Sequence, residues 1–208
     1  MVVLAASGDP VPEAALSAAA DALAAGRVVV VPTDTVYGLA VDPSRPGASQ
    51  QVFAVKRRPS YVALPVLVAG VEQALELAGE LPEAARRLMG RFWPGGLTVV
   101  VPRRPGLGMD LGGPDERTVG LRLPAHPVPV ALAARAGPLA VTSANRHGWP
   151  TPPTAAGVVD HLGGDVAVVL DAGPCVGTPS TVVSCLDGEV RVLRAGQVPP
   201  DAVLAAAG

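Results

Sequence analysis

The chain has 208 residues, 49% of them apolar and only 3% aromatic, and carries a formal net charge of −2. That length is sufficient for one buried core, which must be built mainly from Ala, Val and Leu. The near-neutral charge excludes recognition of nucleic acid by net charge alone, and no apolar run reaches the roughly 20 residues of a membrane span.

The first predicted element is a helix over Pro12–Ala25, with proline in its first turn and Gly26 suited to its C-terminal cap. A buried strand is predicted at Val28–Val31, because this β-branched run is apolar on both faces. Further strand-like runs follow at Leu64–Val68, Leu97–Val101, Val119–Leu123, Leu139–Thr142, Val166–Leu170, Thr181–Val183 and Val190–Leu193. Helical stretches lie between several of them, at Gln50–Val55, Val71–Ala78, Glu83–Arg91, Val128–Ala136, Ala155–Leu162 and Asp201–Ala207.

Strands and helices at this spacing predict an α/β fold, with flanking helices on a twisted and largely buried sheet. Ser180–Ser184 and Glu189–Arg194 flank an Asp-Gly turn signal, which predicts a β-hairpin. The sheet is therefore expected to be mixed, parallel and antiparallel, within a single domain over residues 1–208. Arg103–Arg117, rich in glycine and proline, is predicted to be a mobile loop.

Polar residues concentrate where the apolar strands stop, which is where open α/β sheets generally bind ligands. One such place contains Lys56, the only lysine among 16 basic residues, at the end of a predicted helix where a cation faces the negative end of the helix dipole. The five places are Pro32–Gly38, Lys56–Pro59, Arg122, Val141–Asn145, and Pro179–Thr181 with Arg194 across the hairpin.

Arg122 lies within an otherwise apolar strand, and a buried arginine requires an anion. Strand alternation puts it on the same face as Gly120, which leaves space above the sheet for a bound carboxylate or phosphate. A structural partner such as a buried aspartate explains this single arginine equally well. The residue pattern leaves both interpretations open.

The chain has no Ser-His-Asp or Cys-His arrangement, no paired catalytic carboxylates and no P-loop motif. Its three histidines, at 126, 147 and 161, lack metal-ligand spacing, so we expect no metal site built by the protein. Cys175 and Cys185 are expected to be free thiols. The remaining cations, hydroxyls and turn amides suit the positioning and charge stabilisation of a phosphoryl group.

Taken in order, the motifs resemble the YrdC-like family and, within it, the threonylcarbamoyl-AMP synthases. The resemblance covers most of the chain, and its short end after Arg194 is similar to the single-domain form of the family. The motifs are Pro32–Ala40, Lys56-x-Arg58-Pro59 with Leu64-Pro65-Val66-Leu67, Trp93-Pro94-Gly95-Gly96-Leu97-Thr98, Arg122-Leu123-Pro124-x-His126-Pro127, Ser143-Ala144-Asn145 and Pro179-Ser180-Thr181-Val182-Val183.

This resemblance implies a YrdC-like, DHBP synthase-like fold with a concave central cavity. It implies a nucleotidyltransferase that makes threonylcarbamoyl-AMP and pyrophosphate from L-threonine, bicarbonate or CO2, and ATP, with Mg²⁺ carried by the ATP. The implied catalytic residues are Lys56 and Arg58. The threonine-binding residues implied are Thr33, Thr35, Tyr37, Arg122, Val141 and Ser180, and the ATP-binding residues are Lys56, Arg58, Thr118, Ser143, Asn145, Thr151 and Arg194.

By the same resemblance the adenylate passes to a threonylcarbamoyl transferase complex, which modifies the adenosine beside the anticodon of tRNA. The N-terminus lacks the basic start of a signal peptide, so we expect a cytoplasmic protein without a membrane partner. One alternative is a non-catalytic YrdC-like module that binds RNA, tRNA included, through a local arginine-rich rim. Another is a relative that uses carbamoyl phosphate, like the YrdC-like part of hydrogenase maturation factors.

Overall fold

The structure, a computed structural model, describes residues 1–57 and 62–208. Within these ranges the helices are α1 (Glu13–Ala24), α2 (Ala48–Lys56), α3 (Val71–Leu77), α4 (Glu83–Phe92), α5 (Pro127–Ala136), α6 (Ala155–Leu162) and α7 (Pro200–Ala207). The strands are β1 (Val2–Ala5), β2 (Val29–Val31), β3 (Gly38–Val41), β4 (Val66–Leu67), β5 (Leu97–Pro102), β6 (Thr118–Arg122), β7 (Leu139–Ser143), β8 (Val168–Asp171), β9 (Thr181–Leu186) and β10 (Glu189–Arg194).

All strands of the described ranges join one sheet in the order β1-β8-β2-β3-β7-β4-β6-β5-β9-β10. The pairs β1/β8, β2/β8, β4/β6 and β5/β9 are parallel, and the remaining pairs are antiparallel. The prediction of an α/β fold on a mixed sheet is therefore confirmed.

The hairpin of β9 and β10 is also confirmed, since the two strands pair antiparallel from Glu189↔Leu186 onward. Its turn residues Asp187 and Gly188 have φ values of 55° and 76°. Two consecutive positive φ values are what the tight turn favoured in hairpins requires, and Asp-Gly adopts them readily.

Two strands were absent from the predicted elements. Strand β1 lies at the edge of the sheet, and its residues Val2–Ala5 are mostly exposed although all of them are apolar. Its sequence therefore lacks the alternation that identifies a half-buried strand. Strand β3 begins at Gly38, within a stretch that the sequence pattern indicates only as a polar turn. A side chain at Gly38 would bring its Cβ within 2.6 Å of Val141 Cγ1, so the close approach of β3 and β7 requires glycine there.

The helices cover the two faces of the sheet unequally. One face packs its apolar residues against α2, α3, α4, α6 and α7. On the other face, a second core joins α1 and α5 to side chains of β2, β3, β4, β7 and β8. Among the described residues, this second core includes none from β5, β6 or β9, so that part of the face has no helical cover.

The segment from Arg103 to Arg117 contains no helix or strand, apart from an isolated bridge at Arg103. It is nevertheless held by buried contacts: Leu111 is 4% exposed, and the Asp110 carboxylate accepts hydrogen bonds from the backbone and hydroxyl of Ser49 at the start of α2. In residues 1–57 and 62–208, no helix is both long and apolar enough to cross a membrane.

Candidate functional site

A cavity of about 230 Å³ lies on the part of the sheet face that α1 and α5 leave uncovered. Its floor is formed by alternate residues of β5, β6 and β9, whose sequence neighbours point into the core on the opposite face. The turn after β2 and the end of β7 form the walls. The polar lining residues are Thr33, Thr35, Tyr37, Thr98, Thr118, Arg122, Thr142, Ser143, Ser180 and Arg194.

The turn after β2 is organised by the hydroxyl of Thr33. This oxygen accepts the backbone N–H groups of Thr35 at 3.1 Å and Val36 at 3.2 Å, and it donates to the Val36 carbonyl at 2.6 Å. Gly177, from the segment after β8, donates its N–H to the Thr35 carbonyl at 2.9 Å. A Cβ on Gly177 would lie 2.6 Å from that oxygen, so only glycine permits this approach.

One hydrogen bond of Thr35 has a definite direction. Its hydroxyl lies 2.9 Å from the Thr33 hydroxyl and 3.0 Å from Arg122 Nη1. Arginine only donates, so the Thr35 hydroxyl accepts from Arg122. The Thr33 hydrogen points to the Val36 carbonyl and is not donated to Thr35, so Thr35 keeps a second acceptor lone pair, which suits an N–H group of a ligand.

Arg122, only 6% exposed, is held in three directions at the end of β6. It donates from Nε to the Gly95 carbonyl at 2.9 Å, from Nη1 to Thr35, and from Nη2 to the Asp34 carboxylate at 2.7 Å. These bonds leave one N–H on each terminal nitrogen. The guanidinium thus has a buried structural partner and also lines the cavity, so both interpretations of this residue describe part of its environment.

Burial lowers the pKa of the Arg122 guanidinium from its ordinary value, and the ion pair with Asp34 opposes that shift. The nearby charge of Arg194 lowers it slightly further. An anion in the cavity would therefore approach two cations, of which one is already partly neutralised.

The Tyr37 side chain is fully buried, and its hydroxyl is hydrogen-bonded within the protein. The hydroxyl lies 2.7 Å from the Gly173 carbonyl and 3.3 Å from Asp171 Oδ1. Burial raises the pKa of this phenol well above its ordinary value, and the neighbouring Cys175 and Asp171 raise it further. Tyr37 consequently presents a neutral ring to the cavity.

Ser180 stands at the start of β9, where its hydroxyl lies 2.9 Å from Thr98 of β5. Arg194 donates from Nη2 to the Ser180 carbonyl at 2.7 Å and to its hydroxyl at 3.2 Å. These contacts fix both Ser180 and the guanidinium of Arg194 at the same side of the cavity.

Arg194 faces the cavity because of a β-bulge. Val192 pairs with Val183, but the next pair joins Arg194 rather than Leu193 to Val182. If Leu193 were instead a regular residue of the strand, alternation would turn Arg194 toward the core with Val190 and Val192. The bulge instead aligns Arg194 with Val182, which lines the cavity.

Lys56 ends α2 as a buried cation that is 2% exposed. Its ammonium donates to the Ser143 carbonyl at 2.5 Å, to the Asn145 carbonyl at 2.8 Å and to Asn145 Oδ1 at 2.9 Å. The Ser143 hydroxyl also donates to Asn145 Oδ1, at 2.5 Å. The end of β7 and the end of α2 therefore share one hydrogen-bonded cluster beside the cavity.

Most of the predicted site residues come together around the cavity. The lining includes Thr33, Thr35, Tyr37, Thr118, Arg122, Val141, Ser143, Ser180 and Arg194. Lys56 and Asn145 lie behind Ser143 and do not line the cavity, and neither does Thr151. The predicted Arg58 lies outside the described residues.

Two residues of the site were not among the candidates predicted from the sequence: Asp34, which pairs with Arg122, and Thr98, which contacts Ser180. Gly120 lines the cavity on the face of Arg122, as strand alternation predicts. A threonine at an alternate position of an otherwise apolar strand is the available signal for Thr98. No local signal identifies Asp34, whose partner is 88 residues away in the sequence.

In residues 1–57 and 62–208, no group of three or more His, Cys, Asp or Glu side chains is arranged to hold a metal ion. The polar lining consists of hydroxyl groups and guanidinium cations, and the adjacent Asp34 carboxylate is paired with Arg122. This donor set suits an anionic ligand.

Comparisons with known proteins show which family the chain is similar to. The Sua5/YciO/YrdC family model, described as telomere recombination, matches residues 21–196. A threonylcarbamoyl-AMP synthase of Bacillus subtilis is 38% identical over 195 residues, which make up 93% of this chain and 56% of the relative. A putative threonylcarbamoyl-AMP synthase of Mycobacterium tuberculosis is 42% identical over 181 residues, 86% of this chain and 83% of the relative.

Among solved structures, Pyrococcus abyssi Sua5 complexed with L-threonine superposes with a TM-score of 0.88 at 31% identity, covering 99% of this chain and 61% of that one. Escherichia coli YciO has a TM-score of 0.82 at 22% identity and covers 93% of this chain and 94% of its own, which shows the fold alone. The chain thus spans little more than half the length of the Bacillus and Pyrococcus relatives and most of the mycobacterial one.

Proposed function

The chain belongs to the Sua5/YciO/YrdC family, and on that premise we propose that it is an L-threonylcarbamoyladenylate synthase. The proposed enzyme converts L-threonine, bicarbonate or CO2, and ATP into threonylcarbamoyl-AMP and pyrophosphate. The observation that carries the proposal is the buried Arg122 guanidinium, which is fixed in three directions and keeps two N–H groups for a carboxylate in a cavity lined by hydroxyls.

The threonine carboxylate binds the two remaining N–H groups of Arg122 in this proposal, since paired N–H donors match the two oxygens of a carboxylate. The acceptor lone pair of Thr35 then faces the amino group of the substrate. Ser180, held by Thr98 and Arg194, orients the substrate from the opposite strand. The side chains of Tyr37 and Val141 form an apolar part of the cavity wall.

The ATP end of the proposed site adjoins the end of β7. Thr118, Ser143 and Arg194 are proposed to bind ATP from the cavity lining, and Lys56 and Asn145 from the cluster next to Ser143. Thr151 is proposed for the same role. Arg58 is proposed for the same role from outside the described residues. In this proposal Mg²⁺ binds to the phosphates of ATP and neutralises part of their negative charge.

The proposed reaction needs no protein nucleophile. The threonine nitrogen attacks CO2 and loses a proton, which gives a carbamate. A carbamate oxygen then attacks the α-phosphorus of ATP, the bond from that phosphorus to the bridging oxygen breaks, and pyrophosphate leaves. Cations and hydroxyls that already point into the cavity stabilise the charge on the phosphoryl oxygens without reorganising.

The product is a reactive mixed anhydride, so we propose that it passes to a threonylcarbamoyl transferase complex that modifies tRNA. We place both steps in the cytoplasm. The non-catalytic RNA-binding alternative has less support, because a module of that kind has no need of a concave cavity with a buried guanidinium.

The test is pyrophosphate release from ATP, Mg²⁺ and bicarbonate, with and without L-threonine. We expect release only when threonine is present, and less with L-serine, whose smaller side chain leaves apolar surface of the pocket uncovered. Release that ignores threonine, or none from a folded sample that binds tRNA with a steep salt dependence, would contradict the proposal.

A further inference from the structure

The hydrogen bonds that hold the Lys56 cluster continue to a helix outside the cavity. We define the β7–α6 loop as residues 144–154, between the end of β7 and the start of α6. Its first polar residue is Asn145, whose Oδ1 accepts hydrogen bonds from the Lys56 ammonium and the Ser143 hydroxyl. The orientation of the Asn145 carboxamide therefore helps to fix both of these groups, together with the carbonyls of Ser143 and Asn145 that also accept from Lys56.

The other end of that carboxamide is fixed by the loop itself. Asn145 Nδ2 donates to the Arg146 carbonyl at 3.1 Å and to the Trp149 carbonyl. A carboxamide bound at both its oxygen and its nitrogen cannot rotate without breaking several hydrogen bonds. The positions of Arg146 and Trp149 thus determine the position of Asn145.

His161 of α6 contacts both of these loop residues. Its Nε2 accepts the backbone N–H of Arg146 at 3.1 Å. Its ring meets the Trp149 indole edge-on, with 5.9 Å between the ring centroids and 61° between the planes. Accepting at Nε2 requires a neutral imidazole with its proton on Nδ1.

Hydrophobic burial contributes little to this part of the loop. Residues 147–150 are all exposed, and the Trp149 side chain is 64% exposed. A loop with so little buried apolar surface depends on its specific polar contacts for a defined conformation. The contacts to His161 are therefore a substantial part of what fixes residues 146–149.

We propose that His161 is a positioning residue for the ATP end of the site, acting through Arg146 and Trp149 on Asn145, and through Asn145 on Lys56 and Ser143. This inference rests on the proposed function, because it assigns ATP to that end of the cavity. It does not involve the threonine end, where Arg122 and Thr35 are held by separate contacts.

The test compares His161→Leu with His161→Gln, and uses Asp160→Leu as a control at the adjacent, exposed helix position. Leucine removes the acceptor for the Arg146 N–H, whereas the glutamine side chain supplies an oxygen near the position of Nε2. Dissociation constants for ATP and for L-threonine are measured separately by calorimetry on the full chain. Circular dichroism and thermal unfolding check that each variant is folded.

For His161→Leu we expect the dissociation constant for ATP to rise about five- to tenfold, the range that corresponds to one lost hydrogen bond. Threonine binding should stay unchanged, His161→Gln should recover most of the ATP affinity, and Asp160→Leu should match the wild type. If His161→Leu does not fold, His161→Ala replaces it, because alanine also removes the acceptor for the Arg146 N–H and the same losses are expected.

Equal ATP affinity in the wild type and His161→Leu overturns the inference, as does an equal loss for threonine, which would indicate general damage. A wild-type protein that binds no ATP gives a different pattern, because it refutes the proposed function itself. The two failures are therefore distinguishable in the same set of measurements.

Discussion

At the scale of single residues, Arg122 shows how a structural and a functional role combine. Its guanidinium is paired with Asp34, whose side chain is only 13% exposed, and it also forms the cationic part of the cavity floor. The ion pair orients the guanidinium, and the bonds to Gly95 and Thr35 prevent rotation about it. A group fixed in this way does not have to be ordered again when a carboxylate binds.

Replacement of Arg122 should therefore damage both stability and activity, and a second substitution should separate the two. In Arg122→Ala the Asp34 carboxylate loses its counter-ion, which costs about 3–5 kcal/mol of unfolding free energy for a buried pair. In Arg122→Ala/Asp34→Asn that charge is absent, so most of the stability should return while threonine-dependent pyrophosphate release does not. Urea unfolding and the pyrophosphate assay measure the two effects.

The two variants test different claims. A single variant as stable as the wild type would show that Asp34 does not depend on Arg122. A double variant with normal pyrophosphate release would show that Arg122 is not the ligand of the threonine carboxylate.

At the scale of elements, simple strand alternation explains one side of the cavity and fails on the other. On β6, Thr118, Gly120 and Arg122 line the cavity, while Val119 and Leu121 enter the core, as the period of a strand predicts. On β10 the same period would turn Arg194 into the core. The bulge at Leu193 reverses its direction, and bulges have this effect wherever they insert one extra residue.

Deletion of Leu193 should remove the bulge and leave Arg194 facing the cavity, because Arg194 would then follow Val192 directly and pair with Val182 in a regular strand. We expect threonine-dependent pyrophosphate release to stay close to that of Leu193→Ala, the matched control that keeps the extra residue and removes only a side chain that is 60% exposed. Arg194→Ala measures the loss of the guanidinium alone and should release much less. Activity in the deletion variant as low as that of Arg194→Ala would contradict this account of the bulge.

At the scale of the whole molecule, unequal covering of the sheet creates the cavity. Helices α1 and α5 pack over the part of one face that contains β2, β3, β4, β7 and β8. The face formed by β5, β6 and β9 is left open, and its polar and small residues become the cavity floor. The opposite face is buried throughout by aliphatic side chains, which also enclose Cys185 at 2% exposure.

This complete burial predicts a loss of stability at alkaline pH. Burial raises the pKa of the Cys185 thiol from 9.0 to about 11, so between these values the folded protein keeps a proton that the unfolded chain loses. The stabilisation is fully present below pH 9.0 and is lost as the pH rises through about 11, at about 1.4 kcal/mol per pH unit. Tyr37, whose pKa burial also raises, contributes in the same direction.

Urea unfolding over this alkaline range measures the effect. Cys185→Val keeps the volume roughly constant and removes the titrating group, so its stability should fall less steeply with pH than that of the wild type. Identical slopes in the two proteins would show that the thiol does not titrate as its burial requires.

The sequence by itself determined the α/β class, most helices, the hairpin with its Asp-Gly turn, and the shared face of Gly120 and Arg122. These features depend on the period of side chains and on turn chemistry, which act over a few residues. It also supplied the order of motifs that resembles the family to which the chain belongs.

The tertiary structure alone decided the partners of the site residues. It brings Asp34 to Arg122 across 88 residues, Lys56 to Asn145 across 89, and it inserts the bulge that turns Arg194 into the cavity. Strand order and helical cover fix these contacts, and both arise from packing between distant segments rather than from local pattern. The floor of the cavity can be predicted from alternation, whereas the network that orients its charged groups exists only once the sheet has assembled.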